Sequence, residues 1–332
     1  MGSVAEDITA LPQRQGNRSR EELAERLERD GFVHLEAVIP PARVEEALAL
    51  ARDAGSQANF HDTRVFAFLL EELQVHRLVQ SLLDEPIYYP GWSGVMLEVK
   101  AAPGQLHDDA KGSPIPADGG TLPYFSANLR PYDPVKHPTF PLYRLFIYLN
   151  DHVKSSGGTK LRRGSHKRHE LFTRKGFKAL LRGRFGQVSL PFFGYENPMV
   201  KPGDAVLFNL RTRHAGHFVR LRGPLARLAL PTRLDNLIKR LTLGSKPGRW
   251  LLRFFAQPFP QKRTSLVVDF CLDSDWARGF QANRLLYPGN VQYQAQFFDC
   301  NRPQFRARLE RLGLRVLNSP ALPAVERFLR GG

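Results

Sequence analysis

The sequence predicts an α+β fold, helices first and then a β-sandwich or barrel, and three observations carry that expectation. Amphipathic helical spacing dominates up to Pro86. Short β-prone runs bounded by Gly and Pro follow it. The 25 Pro and 27 Gly with 23 Phe in 332 residues describe a turn-rich chain with an aromatic core. Runs of helices followed by runs of strands belong to α+β architectures. No self-similarity occurs at a solenoid or propeller period, and this length is ample to bury a core.

Residues 1–18 are polar and predict a loosely attached tail. From Arg20 to Asp30, Leu23 and Leu27 recur four apart, with Glu21 and Glu22 at the start and Gly31 past the end, which predicts a short amphipathic helix. A strand over Phe32 to Leu35 follows. Pro40 and Pro41 open a second helix through Val44, Leu48 and Ala51, closed near Gly55. A third is expected within 62–83, where Phe66, Leu69, Leu70, Leu73 and Val79 keep roughly helical spacing. Strands are then expected at Ile87 to Tyr89, Val95 to Val99, Leu142 to Leu149, Val188 to Leu190, Ala205 to Phe208, Ala226 to Leu230 and Leu266 to Phe270. Between them, Pro114 to Pro141 is Pro-rich and aperiodic, the character of a lid or binding loop. Helical spacing returns over 303–329, with Phe305, Leu309 and Leu312 on one stripe. No linker divides the chain.

Charge is unevenly spread. The net charge is +16, yet residues 160–263 hold 24 Lys and Arg against Glu170, Glu196, Asp204 and Asp235, a local balance of +20 that leaves −4 for the remainder. Such a field attracts anions: a phosphorylated or carboxylated small molecule, acidic lipid, or nucleic acid. For nucleic acid no recognised binding motif is present. The basic stretch 160–184 and the segment Gly248 to Phe255 mix cations with large apolar groups, a combination suited either to an anionic membrane surface or to core-packing helices with solvated arginines. The two cysteines, Cys271 and Cys300, lack the spacing of a thiolate metal site and are expected to be reduced. With no apolar leader and no run of about 18 apolar residues, the expectation is a cytoplasmic chain, at most peripheral to a membrane.

One short pattern carries chemistry. In Gln105-Leu106-His107-Asp108-Asp109, an imidazole and a carboxylate stand two apart, so an extended segment sends both from one face toward one ion. A facial triad of two His and one carboxylate needs a second imidazole and leaves positions open for other ligands. His214 supplies it best, after the turn and buried strand Pro202-Gly203-Asp204-Ala205-Val206-Leu207-Phe208; His217 is the alternative. Asp108 should point away from the metal, and His166 reads as a turn residue.

Four stretches in order resemble the phytanoyl-CoA dioxygenase family of iron(II) and 2-oxoglutarate oxygenases. They are Asp30-Gly31-Phe32-Val33; His107-Asp108-Asp109; Leu149-Asn150-Asp151 through Gly157-Gly158-Thr159 to Arg163-Gly164-Ser165-His166-Lys167; and Pro202-Gly203-Asp204 to His214. The resemblance covers about residues 30–235 and implies a double-stranded β-helix (jelly-roll) core. One domain over 19–332 follows: a helical part over about 20–85, the jelly roll over about 86–275 and a C-terminal helical extension over 276–332. It also implies Fe(II) held by His107, Asp109 and His214, with 2-oxoglutarate and O2 as cosubstrates and Arg227 on the distal carboxylate. Arg220, Arg222 and Arg233 are its possible substitutes. Two departures are Gly216, where family members often carry Ser or Thr, and the lack of any Asn between His214 and Asn236. Because Asp109 fills the position that related halogenases vacate for chloride, hydroxylation is the expected reaction, on an anionic, lipid-related or sugar-related molecule. Outside this reading stand a jelly-roll binding protein without turnover and a basic membrane- or nucleic-acid-binding protein.

Overall fold

The computed structural model describes residues 14–15, 18–55, 60–100, 140–151, 159–170, 174–189, 195–216, 262–274, 276–278, 280–281, 296–297 and 299–318. A two-residue ribbon, β1 (Arg14–Gln15) with β2 (Arg18–Ser19), leads into helix α1 (Arg20–Asp30). The Ser19 hydroxyl accepts from the Glu22 N–H and the Glu22 carboxylate accepts from the Ser19 N–H, a reciprocal cap that starts the helix where the sequence predicts. Gly31 ends it at φ +83°, a backbone conformation that side chains with a Cβ rarely adopt.

Strand β3 (Phe32–Leu35) and helix α2 (Val44–Ala54) follow, the latter entered through a 3-10 turn at Pro41–Arg43. The single helix expected within 62–83 is instead α3 (Arg64–Ala67), a π turn (Phe68–Glu72) and α4 (Val75–Leu83), with Gln74 left-handed at φ 47° between the last two. Phe68, Leu69 and Leu70 are consecutive and all buried, more than one α-helical stripe can face inward, and the widened turn delivers all three to the core.

The strands form two main sheets. The larger contains β4 (Tyr88–Tyr89), β5 (Ser93–Lys100), β6 (Leu142–Tyr148), β11 (Ala205–Asn209), β13 (Lys262–Cys271) and β14 (Arg315–Val316), together with β3. Its order is β14-β4-β13-β6-β11-β3, with β5 also on β13; every pairing is antiparallel except β14 with β4. The smaller sheet has β7 (Thr159–Arg162) between β10 (Tyr195–Glu196) and β12 (His214–Gly216), all antiparallel. A parallel pair, β8 (His169–Glu170) with β9 (Val188–Ser189), flanks helix α5 (Arg174–Leu181), which lies in the basic stretch read from the sequence as membrane-facing or as a core-packing helix. Helix α6 (Pro303–Arg311) stops well short of the expected 329, because Gly313 turns left-handed at φ +77° and Leu314 returns its N–H to the Leu309 carbonyl. The Ala226 to Leu230 strand and the long aperiodic segment up to residue 139 lie outside the described residues.

Strict alternation along the large sheet sorts two cores. Leu145, Ile147, Ala205, Leu207, Leu266 and Val268 face the helices and join Leu23, Leu27 and Phe305. Phe146, Tyr148, Val206, Phe208 and Val267 face the other way and meet Leu161 of the small sheet. The second core is thus the space between the sheets. Cys271 and Cys300 are free, buried thiols, and burial pushes both pKa values up, so neither is a nucleophile.

Candidate functional site

His214 opens β12 beneath this inter-sheet space. Its partner across the ladder is Leu161, so both side chains leave the same face, toward the inner core. Buried at 8% exposure, the ring lies 4.9 Å from that of Phe208, tilted at 54°. His214 Nδ1 is 2.9 Å from the Thr212 carbonyl oxygen. A carbonyl only accepts, so Nδ1 carries the proton and, in the neutral ring, Nε2 bears the lone pair. Fixing one ring nitrogen on a backbone carbonyl is how proteins orient a metal-binding imidazole.

The loop that holds this histidine is tied to two other segments singled out in the sequence. The Gly31 carbonyl accepts from the Thr212 hydroxyl (2.8 Å) and from the Asn209 N–H (2.9 Å). Gly164 N–H donates to the Asp30 carbonyl (2.8 Å), and the buried His166 places Nε2 3.0 Å from the Glu28 carbonyl. The Ser165 hydroxyl donates to the Arg162 carbonyl (2.8 Å) and accepts from the Arg213 N–H (2.9 Å). A Cβ on Gly31 would stand 2.4 Å from His166 Nδ1 and 2.5 Å from the Thr212 hydroxyl, so only glycine fits. Asp30-Gly31, Gly164-Ser165-His166 and Thr212 to His214 are therefore one knot, and His166 serves it as the turn residue expected.

Pro202-Gly203-Asp204 is a second anchor. Gly203, at φ +90°, passes so close to Ile39 that a Cβ would lie 2.3 Å from its carbonyl oxygen. The Asp204 carboxylate accepts from His34 Nε2 (2.9 Å), the Ala37 N–H (2.9 Å) and the Lys201 N–H (2.8 Å). Burial raises its pKa, but these donors outweigh burial and hold it below the usual range. This turn fixes the entry of β11, and through it the approach to His214.

On the inner face, Tyr148 donates its hydroxyl to Thr159 (2.9 Å), bridging the two sheets beside β12. Ser265 lies opposite Tyr148; its hydroxyl is buried and makes no hydrogen bond among the described residues. Two residues earlier on the same face is Arg263, whose guanidinium carbon is 5.9 Å from the Phe146 ring centroid and whose pKa burial lowers, with Tyr148 opposing. A guanidinium and a buried hydroxyl on one inner face are both donors to a carboxylate. Arg263 escaped the sequence reading because the predicted strand began at Leu266, four residues after β13 begins at Lys262. Further along that face, Arg144 pairs with Asp269 (2.7 Å) and covers the Trp92 ring at 4.3 Å.

His107, Asp108, Asp109, His217 and Arg227 lie outside the described residues. Among the described residues no three His, Cys, Asp or Glu side chains group to hold a metal ion.

No family model matches the chain, and no curated protein does. Among solved structures it is similar to the non-heme alpha ketoglutarate dependent epimerase SnoN from nogalamycin biosynthesis, at 17% identity over 76% of this chain and 81% of that chain, with a TM-score of 0.42. The carbocyclase SnoK of the same biosynthesis matches at 14% over 77% and 84%, with a TM-score of 0.45. EctD from S. alaskensis, solved with 2-oxoglutarate and 5-hydroxyectoine, matches at 15% over 76% of each chain, with a TM-score of 0.41.

Proposed function

We propose that the chain is an iron(II)- and 2-oxoglutarate-dependent oxygenase that hydroxylates an unactivated C–H bond of an anionic, lipid-related or sugar-related small molecule. One observation carries the reading: His214 faces the space between two antiparallel sheets, with its ring oriented by a contact from Nδ1 to a backbone carbonyl, as metal-binding imidazoles are oriented. Successive strands change sheet at β6 to β7, β10 to β11, β11 to β12 and β12 to β13, an alternation that supports the reading of a double-stranded β-helix. His107 and Asp109 complete a facial triad with His214.

Iron bound there supplies dioxygen activation coupled to oxidation of the keto acid to succinate and CO2. The chain's own residues do the rest. His214 presents one fixed nitrogen. Phe208, Leu161, Phe146 and Val267 pack as apolar side chains beside His214 and exclude water. For the distal carboxylate of 2-oxoglutarate two cations compete: Arg227, expected from the family pattern, and Arg263. The position of Arg263 on the inner face, over the Phe146 ring and two residues from the buried Ser265 hydroxyl, supports Arg263.

The test is iron content and substrate-free turnover of 2-oxoglutarate to succinate by the purified chain reconstituted anaerobically. Wild type should take up one iron per chain and form succinate. His107→Ala, Asp109→Ala and His214→Ala should each lose most of both. Full iron occupancy in both histidine variants would overturn the ligand set, and iron uptake without any succinate would favour a metal-binding protein without turnover.

A further inference from the structure

The three exposed large hydrophobic side chains among the described residues stand together on α5 and the 3-10 turn after it: Phe177 at 56% exposure, Leu181 at 71% and Phe185 at 69%. Helix α5 is packed the wrong way round for a globular surface helix. Its buried positions are Gly176 and Ala179, set against β8 and β9, whereas Phe177 and Leu181, one turn apart, face outward. Flanking them are Arg174, Lys175, Lys178, Arg182 and Arg184, all exposed, and no acidic residue occurs between Glu170 and Glu196.

We propose that α5 and the Phe185 turn dock on an anionic lipid bilayer, with Phe177, Leu181 and Phe185 entering the headgroup and acyl boundary and the cations pairing with lipid phosphates and carboxylates. An outward apolar ridge rimmed by cations matches the two terms of interfacial binding, burial of apolar area and attraction to acidic headgroups. A nucleic acid would satisfy the charge but would leave the aliphatic Leu181 at the ridge without use. An acidic protein partner would need a complementary apolar cleft. Attachment would be peripheral, since no helix among the described residues is long and apolar enough to cross a membrane. The proposal stands apart from the oxygenase reading and survives its failure.

The experiment sediments the full chain with vesicles of phosphatidylcholine alone and of phosphatidylcholine with about one third phosphatidylserine. Wild type should bind the anionic vesicles and leave the neutral ones. Phe177→Ser/Leu181→Ser/Phe185→Ser should weaken binding roughly tenfold or more, and Arg174→Gln/Lys178→Gln/Arg182→Gln/Arg184→Gln about a hundredfold or more. All seven side chains are exposed, so both variants should melt like wild type. A Leu181→Trp reporter should shift its emission to the blue on anionic vesicles alone. No binding by wild type, an unshifted reporter, or a serine variant that binds as tightly as wild type would overturn the proposal; the last result would make the face a polyanion site, to be pursued with a single-stranded oligonucleotide.

Discussion

At the scale of single residues, Thr212 matters through two different atoms. Its carbonyl orients His214 and its hydroxyl ties the loop to Gly31. Thr212→Val keeps the carbonyl and removes the buried hydroxyl bond, with an expected loss of about 1 kcal/mol of stability. If the loop then relaxes, iron affinity should fall roughly tenfold, as it does for disturbed outer partners of metal ligands; anaerobic iron titration reads this directly. Gly31→Ala is harsher, since the new Cβ would collide with His166 and Thr212 in a left-handed backbone. It should cost at least about 2 kcal/mol, measured by urea unfolding. The cosubstrate cation is resolved the same way. Arg263→Ala should weaken 2-oxoglutarate binding about ten- to a hundredfold, the value of one hydrogen bond to a charged group, while Arg227→Ala should leave it near wild type. The reverse ranking would return the role to Arg227.

At the scale of elements, what was legible followed from how completely each element announced itself. Helix α1 has its reciprocal cap, its apolar stripe and its terminal glycine within one contiguous stretch, and its predicted bounds hold. Strands β3, β6 and β11 are long enough to show their apolar content, so their approximate positions were readable. The small sheet was not. Strand β12 has three residues and β7 four, and β7 carries Lys160 and Arg162, which are buried in spite of their charge. Helix α5 was legible only as one of two readings of the basic stretch and without bounds, because its largest apolar side chains face solvent and its pattern does not describe a core stripe. The stretches that carry the family resemblance were readable, but the sequence could not say that three of them are knotted through Ser165, Gly31 and Thr212. Ser165→Ala tests that knot. It removes the hydroxyl joining the end of β7 to the Arg213 N–H, with an expected stability loss of about 1 to 2 kcal/mol. A matching fall in iron affinity would show that the knot positions His214, whereas an unchanged affinity would confine it to folding.

At the scale of the whole molecule, buried histidines set an acid limit, His61 and His166 most strongly, with His76 also held below its ordinary pKa by burial. His61 is fully buried with Nε2 2.6 Å from the Tyr89 hydroxyl, and burial holds its pKa down to about 3, aided by Arg302 and Arg308 and opposed by Asp62. His166 is held to about 4, again mainly by burial, with Lys167 and Arg211 acting in the same direction and the Glu28 carbonyl and Asp30 against. In the unfolded chain both titrate near the ordinary value of about 6.5. The unfolded state therefore binds more protons below that pH, and stability rises with pH through this range. The contribution is complete above about pH 6.5 and is lost progressively as the pH falls toward 4 and then 3. At about 1.4 kcal/mol per unit, each histidine costs roughly 2.5 kcal/mol by pH 4.5, so the pair removes about 5 kcal/mol, against a usual total of about 5 to 15 kcal/mol. Acid unfolding should accordingly begin well above the carboxylate range. Urea unfolding at pH 7.5, 6.0 and 5.0 would give the slope. His166→Gln, which keeps a donor for the Glu28 carbonyl but cannot take up a proton, should flatten it measurably without abolishing it, since His61 and His76 still contribute. A stability that stays level from pH 7.5 to 5.0 in wild type would mean that these rings accept protons in the folded state and that their burial is not protective.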